Sequence, residues 1–190
     1  MKNTIVVGIA GAPGAGKSTG AAYVFSKLKM LGIDCELVTE FAKDKVWEEN
    51  PAPFKNQAYM FGQQYYRISR CLGKVDVIVT DSPLPLGILY NTDPVLDYHF
   101  DQTVINVWKS LETMNYFLHR AKEYNPNGRN QTEEESNALS NQILYLYDQY
   151  GIPLKVLLGI EEHYNEIVDD VYAKVLHLAE QTDYLEAIDD

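Results

Sequence analysis

The run Gly11-Ala12-Pro13-Gly14-Ala15-Gly16-Lys17-Ser18-Thr19 satisfies the pattern G-x-x-x-x-G-K-[ST] at every position. Glycines at this spacing let successive backbone N–H groups turn toward one anion, and the N-terminus of a following helix adds its own N–H groups and dipole. Lys17 is expected to reach the β- and γ-phosphates and the Ser18 hydroxyl to ligate Mg²⁺, while residues 11–19 hold the nucleotide. The chemistry implied is binding of a nucleoside triphosphate, with ATP and Mg²⁺ as the expected pair.

Two carboxylates complete a transfer site on paper. Asp81 follows the apolar run VDVIVT, where a strand beside the phosphate loop would deliver a metal-binding carboxylate. Glu40 ends the second apolar run, which is expected beside the first, so it should face the same cleft. There it would accept the proton of an acceptor hydroxyl and align the oxygen with the γ-phosphate. A third segment, residues 119–131, gathers Arg120, Lys122 and Arg129 around Asn125-Pro126-Asn127-Gly128. That composition suits a lid whose Arg120 and Arg129 neutralise the transferred charge. Arg67 and Arg70 share a helical face and could bind an acceptor phosphate. Lys43 and Lys45 could edge the acceptor site, and Tyr59, Phe61, Tyr65 and Tyr66 could stack on a base.

The elements that must position these groups alternate. Residues 4–9 read as a buried strand and 18–31 as a helix stopped by Gly32. Strands are expected at 34–38, 75–80, 115–118 and 154–158. Helices are expected near 42–48, over 54–72 with Ala58, Phe61, Tyr65, Ile68 and Leu72 inward, and over 94–111. Thr132-x-x-Glu135 opens another helix, with Leu139, Ile143, Leu146, Tyr147 and Tyr150 on one side and Gly151 as its stop. A last helix spans 161–182, and the acidic residues 186–190 are expected to fray. Alternation of this kind implies an α/β fold, a P-loop three-layer sandwich around a five-stranded parallel sheet. Its ligands should sit at the carboxyl ends of the strands.

The length of 190 residues suits a single domain over 1–190. No apolar run approaches membrane-spanning length, and Cys35 and Cys71 form no CxxC, so a cytoplasmic chain with two buried thiols is expected. Four dispersed histidines argue against zinc. A net charge of −11 repels polyanions at long range, so a nucleic-acid acceptor would need the few cations concentrated around the cleft. No N-K-x-D is present to read guanine, and Ser82 follows Asp81 where a hydrolytic motor places Glu. Regulated hydrolysis is therefore disfavoured, and transfer to an acceptor hydroxyl is favoured.

Taken together, GAPGAGKST, LVTEFAKDKVWEE, VDVIVTDSPL, YFLHR and EYNPNGR resemble the small P-loop kinase-like proteins of tailed bacteriophages, often labelled ATPase or AAA-type. That group includes the 5-hydroxymethyl-deoxyuridine DNA kinases, so the resemblance implies phosphorylation of hydroxymethyluracil-containing DNA. More distantly, Glu40 followed by Trp47 is similar to deoxyribonucleoside kinases, where the Glu acts as base. Their Glu-Arg-Ser motif has only Asp81-Ser82-Pro83 as its counterpart here. Gly128-Arg129 is similar to the arginine-bearing lids of nucleoside and nicotinamide riboside kinases. Two other acceptor schemes stand beside the first. One is a soluble deoxynucleoside or deoxynucleoside-monophosphate kinase, and the other is an ATP-binding switch that regulates a partner and transfers nothing. Assembly into an oligomer is compatible with each.

Overall fold

Ile5–Ala10 form β1, and all six residues are buried, as a strand covered on both faces requires. The computed structural model describes residues 3–96, 98–121 and 133–189. Four more strands flank β1: β2 Cys35–Val38, β3 Val77–Thr80, β4 Glu112–His119 and β5 Lys155–Leu158. The sheet order is β2-β3-β1-β4-β5, and every pairing is parallel.

The second strand was expected beside the first, and the structure corrects this: β3 lies between them. The reason is burial. Val77–Thr80 is buried at all four positions and fits the sheet interior, whereas β2 exposes Glu36 and tolerates an edge.

Among the described residues six helices cover the sheet: α1 Lys17–Met30, α2 Phe41–Trp47, α3 Gln57–Ser69, α4 Tyr98–Lys109, α5 Glu133–Gln149 and α6 Glu161–Asp189. Side-chain alternation along the strands builds two cores. Ile5, Val7, Ile9, Val77, Val79, Tyr116 and Leu118 meet α1 and α6 on one face. Val6, Ile78 and Phe117 meet α3, α4 and α5 on the other. On that second face the Trp108 indole donates to Asn115 Oδ1 at 3.0 Å, and a β-carbon at Gly8 would stand 2.8 Å from Trp108 Cζ2.

Several expected boundaries move. Pro51 and Pro53 favour a 3₁₀ turn over Ala52–Lys55, so α3 begins only where the Asn56 side chain accepts the Tyr59 N–H at 2.9 Å. Of its expected inward residues, Phe61, Tyr65, Ile68 and Leu72 pack against the core and Ala58 does not. Ala58 is exposed, and Gln57, Met60, Gln64 and Ile68 are buried. A second 3₁₀ segment, Leu84–Tyr90, precedes α4. The strand β4 is longer than expected and takes in His119. Helix α6 continues to Asp189, past the expected end at 182. Gly32 and Gly151 stop their helices at φ of 83° and 57°, a conformation that suits glycine. Cys35 is buried and Cys71 half-buried, both as free thiols, and burial pushes the Cys35 thiol up to about 12. Among the described residues no helix is long and apolar enough to cross a membrane.

Candidate active site

The turn after β1 reverses at three glycines, Gly11, Gly14 and Gly16, whose φ values of 152°, 85° and 93° are open mainly to glycine. Ala15 N–H closes the loop onto Ala12 O at 3.1 Å. Gly16 is the N-cap of α1, and with no side chain to bond back, it leaves the first turn of the helix uncapped. Nor does that turn contain an acidic residue. A helix start with uncapped N–H groups and a left-handed glycine before it is a ready anion site, so residues 11–19 fit a polyphosphate. Lys17 Nζ donates to Ala12 O at 3.3 Å, folded across the loop it would serve.

Three contacts that had no sequence signal hold this loop in place. Tyr164 of α6 donates from Oη to Gly16 O at 3.2 Å; a β-carbon at Gly16 would collide with that hydroxyl, and one at Gly20 would stand 2.7 Å from the ring. Gly159, after β5, passes the backbone of Ala15 so closely that a β-carbon would overlap the Ala15 carbonyl. From α5, Ser136, itself 2% exposed, donates to Pro13 O at 3.1 Å. Glycine spacing reveals the loop, but nothing local marks distant residues that meet it only after folding.

Asp81 stands where it was expected, at the end of the strand next to β1, and is 4% exposed. One carboxylate oxygen, Oδ2, accepts the Ser18 hydroxyl at 2.6 Å. The other, Oδ1, accepts the Glu40 backbone N–H at 3.1 Å. A hydroxyl and a carboxylate placed side by side make a hard-oxygen donor pair, which fits Mg²⁺ with its remaining positions left to water and phosphate. Ser18 and Asp81 would hold that ion.

Glu40 reaches the same mouth although β2 is not adjacent to β1. It is the N-cap of α2, and the backbone on both sides of it is pinned. Besides the bond to Asp81, the Phe41 N–H donates to the buried Gln64 Oε1 at 2.8 Å, and Gln64 Nε2 reaches Thr39 O and Thr80 Oγ1 at 3.5 Å. Arg67 donates to Thr39 O at 3.4 Å and pairs with Asp44 on α2. Burial pushes the Glu40 carboxyl above its ordinary 4.5; the Lys17 ammonium opposes that shift, Asp81 adds to it, and Lys43 opposes it. Across from Glu40, burial and the Glu40 carboxylate both raise the Tyr90 phenol. Gln64 and Tyr90 are site residues the sequence did not reveal. Gln64 occupies an inward position on a helix read as apolar, and Tyr90 lies in a stretch without clear periodicity.

The expected lid is described only as far as residue 121, and Arg129 lies outside the described residues. Arg120 follows β4 and donates from Nη2 to Asn137 Oδ1 at 3.2 Å. It lines a cleft of about 270 Å³ with Ala12, Ala15, Ser136 and Asn141, against the phosphate loop. Arg67, read as a candidate for an acceptor phosphate, is engaged with Asp44 and Thr39, and Lys45 pairs with Glu48 at 2.5 Å.

A family model described as an AAA domain matches residues 6–163. No curated protein matches the sequence. Among solved structures, the Mycobacterium tuberculosis APS kinase CysC, in complex with AMPPNP and APS, is similar with a TM-score of 0.52 and 12% identity. The match covers 89% of this chain and 98% of that one. The crystal structure of APE1195 is similar with a TM-score of 0.52 and 18% identity, over 92% and 98% of the two chains. At these identities the likeness is one of fold, and it is the P-loop α/β fold with a parallel sheet between helical layers.

Proposed function

Because the chain belongs to the AAA domain family whose model it matches, and its phosphate loop opens onto two carboxylates, we propose that it is an ATP- and Mg²⁺-dependent phosphotransferase. The acceptor is a nucleotide-related hydroxyl, and the leading candidate is the hydroxymethyl group of 5-hydroxymethyl-deoxyuridine in DNA. The observation that carries the reading is Glu40. Its N–H is bonded to Asp81 and the next N–H, that of Phe41, to Gln64, which fixes it at the mouth where Ser18 meets Asp81.

Residues 11–19 bind the triphosphate, which supplies the γ-phosphoryl group. Lys17 offsets charge on the phosphates, and Ser18 and Asp81 hold the metal. Glu40 accepts the proton of the acceptor alcohol as its oxygen forms the new bond to phosphorus. The bond from that phosphorus to the bridging oxygen breaks, ADP leaves with the electron pair, and the proton passes from Glu40 to solvent. A carboxyl raised toward neutrality is a better base for this purpose than an ordinary one, provided it is still ionised at the working pH. Arg120, at the edge of the cleft, and Arg129 are assigned to stabilise the transferred charge.

Labelled ATP incubated with hydroxymethyluracil-containing DNA, free deoxynucleosides and deoxynucleoside monophosphates tests this. Label is expected in the DNA and absent from it with Lys17→Ala. Label in free nucleosides or monophosphates only would favour a soluble nucleoside or nucleotide kinase. Tight ATP binding with every acceptor unlabelled would overturn phosphotransfer in favour of a regulatory switch.

A further inference from the structure

Charge is distributed unevenly along this acidic chain. Residues 41–74 carry six of its 16 Lys and Arg but only three of its 27 Asp and Glu, a local balance of +3 that leaves −14 for the remainder. The segment is the α2, 3₁₀ and α3 unit that begins beside Glu40. It also exposes aromatic rings: Trp47 is 79% exposed, Tyr66 64%, Tyr59 41% and Phe54 38%. Isolated exposed aromatics are ordinary, but Tyr59 and Tyr66 share one face of α3.

Along α3, Tyr59, Gln63, Tyr66 and Arg70 follow one another at intervals of four, three and four, so they form one stripe on the helix surface. The stripe starts at the transfer site. The Tyr59 ring meets the Phe41 ring edge-on at 5.7 Å, and Phe41 is the residue after Glu40. The Lys45 ammonium and the Arg67 guanidinium each lie 5.1 Å from the Phe41 ring, placing cations between the two helices. Lys43 and Lys55 are exposed on the same segment, and Arg70 and Lys74 are exposed at the far end of α3. Flat apolar rings interleaved with cations, on a body otherwise negative, complement a polyanion whose bases are free to stack. A duplex hides its base faces, and a single strand presents them.

We infer that the exposed face of α3, continued by α2, is a binding track for single-stranded nucleic acid that leads its bases toward Glu40. Tyr59 and Tyr66 stack on bases, while Lys43, Lys55, Arg70 and Lys74 contact phosphates. The negative remainder of the surface confines the strand to this face. The inference rests on the phosphotransfer reading and deepens it by making the acceptor single-stranded and giving the face that carries it, and it is tested without ATP so that the two stand or fall separately.

The test is fluorescence anisotropy of a labelled oligothymidylate titrated with the full chain across a range of salt, with sedimentation to follow oligomeric state. Parent protein is expected to bind, with log affinity falling against log salt at a slope of about −3 if four cations contact a single strand. Tyr66→Ala should weaken binding about 5-fold or more while Tyr66→Phe binds as the parent does, because stacking needs the ring and not the hydroxyl. Arg70→Ala should make the slope shallower by about 0.7. No binding at low salt would overturn the track, as would unchanged binding by Tyr66→Ala. So would a Tyr66-dependent dimer that excludes the oligonucleotide. An oligonucleotide that binds while ATP labels no acceptor would support the track and overturn phosphotransfer. Label in free nucleosides without oligonucleotide binding would do the reverse.

Discussion

Substituting Gly159 by alanine should disable nucleotide binding from outside the phosphate loop. Gly159 follows β5, and its N–H donates to His119 O at 2.9 Å, which fixes where its α-carbon passes the loop. An added methyl would overlap the carbonyl oxygen of Ala15 and stand 3.1 Å from its carbon. Both obstructing atoms are backbone, so no rotamer change relieves the contact. Either the loop or the chain after β5 must withdraw on the order of 1 Å, and misplacement of that size in a reacting site costs about 100-fold in rate. Overpacking itself should cost about 1–3 kcal/mol of stability. A shift of Ala15 also carries Ala12, to which its N–H is bonded, and Gly16, so the N–H groups lose their common aim. Calorimetry with a non-hydrolysable ATP analogue and urea unfolding read the two effects separately. The expected result, with the fold retained, is an affinity loss of about 10- to 150-fold, the worth of one hydrogen bond to a charged group at about 1.5–3 kcal/mol. Gly62→Ala is the control: nothing lies within 4 Å of its added methyl, and the exchange should stabilise α3 by about 1 kcal/mol. Analogue binding by Gly159→Ala equal to that of the parent would refute the reasoning, since it would mean these backbones separate without consequence for the phosphate site.

Three further variants test the site. Glu40→Gln should slow transfer by about 100- to 10,000-fold while sparing ATP affinity, as loss of a general base does. The same variant should gain stability over the parent as pH rises above 4.5. The folded carboxyl is raised above that value, so its ionisation penalises the fold between the two pKa values and fully above both; urea midpoints across pH check this. Gln64→Ala removes the acceptor of the Phe41 N–H, which should cost about 1–3 kcal/mol, speed hydrogen exchange at that amide and lower kcat at unchanged KM for ATP. Tyr164→Phe removes only the bond to Gly16 O, and unfolding should register a loss of about 1 kcal/mol with weakened nucleotide binding.

The glycine turn at residues 11–16 and the alternation of strands and helices were legible in the sequence because both are local. Glycine at 11, 14 and 16 marks a positive-φ turn by residue type alone, and the apolar runs at β1 and β3 show their burial in composition alone. Asp81 could be placed for the same reason, at the end of a run too apolar for anything but the sheet interior.

Tertiary structure decided how the second carboxylate arrives. With β3 inserted between β2 and β1, strand adjacency does not bring Glu40 to the phosphate loop; hydrogen bonds from Glu40 N–H to Asp81 and from Phe41 N–H to Gln64 do. Gln64, Ser136, Gly159 and Tyr164 lie between 23 and 148 residues along the chain from the atoms they position. No spacing rule links such pairs. A buried glutamine in a helix and a glycine after a strand acquire their roles only when packing sets a particular backbone carbonyl or N–H against them.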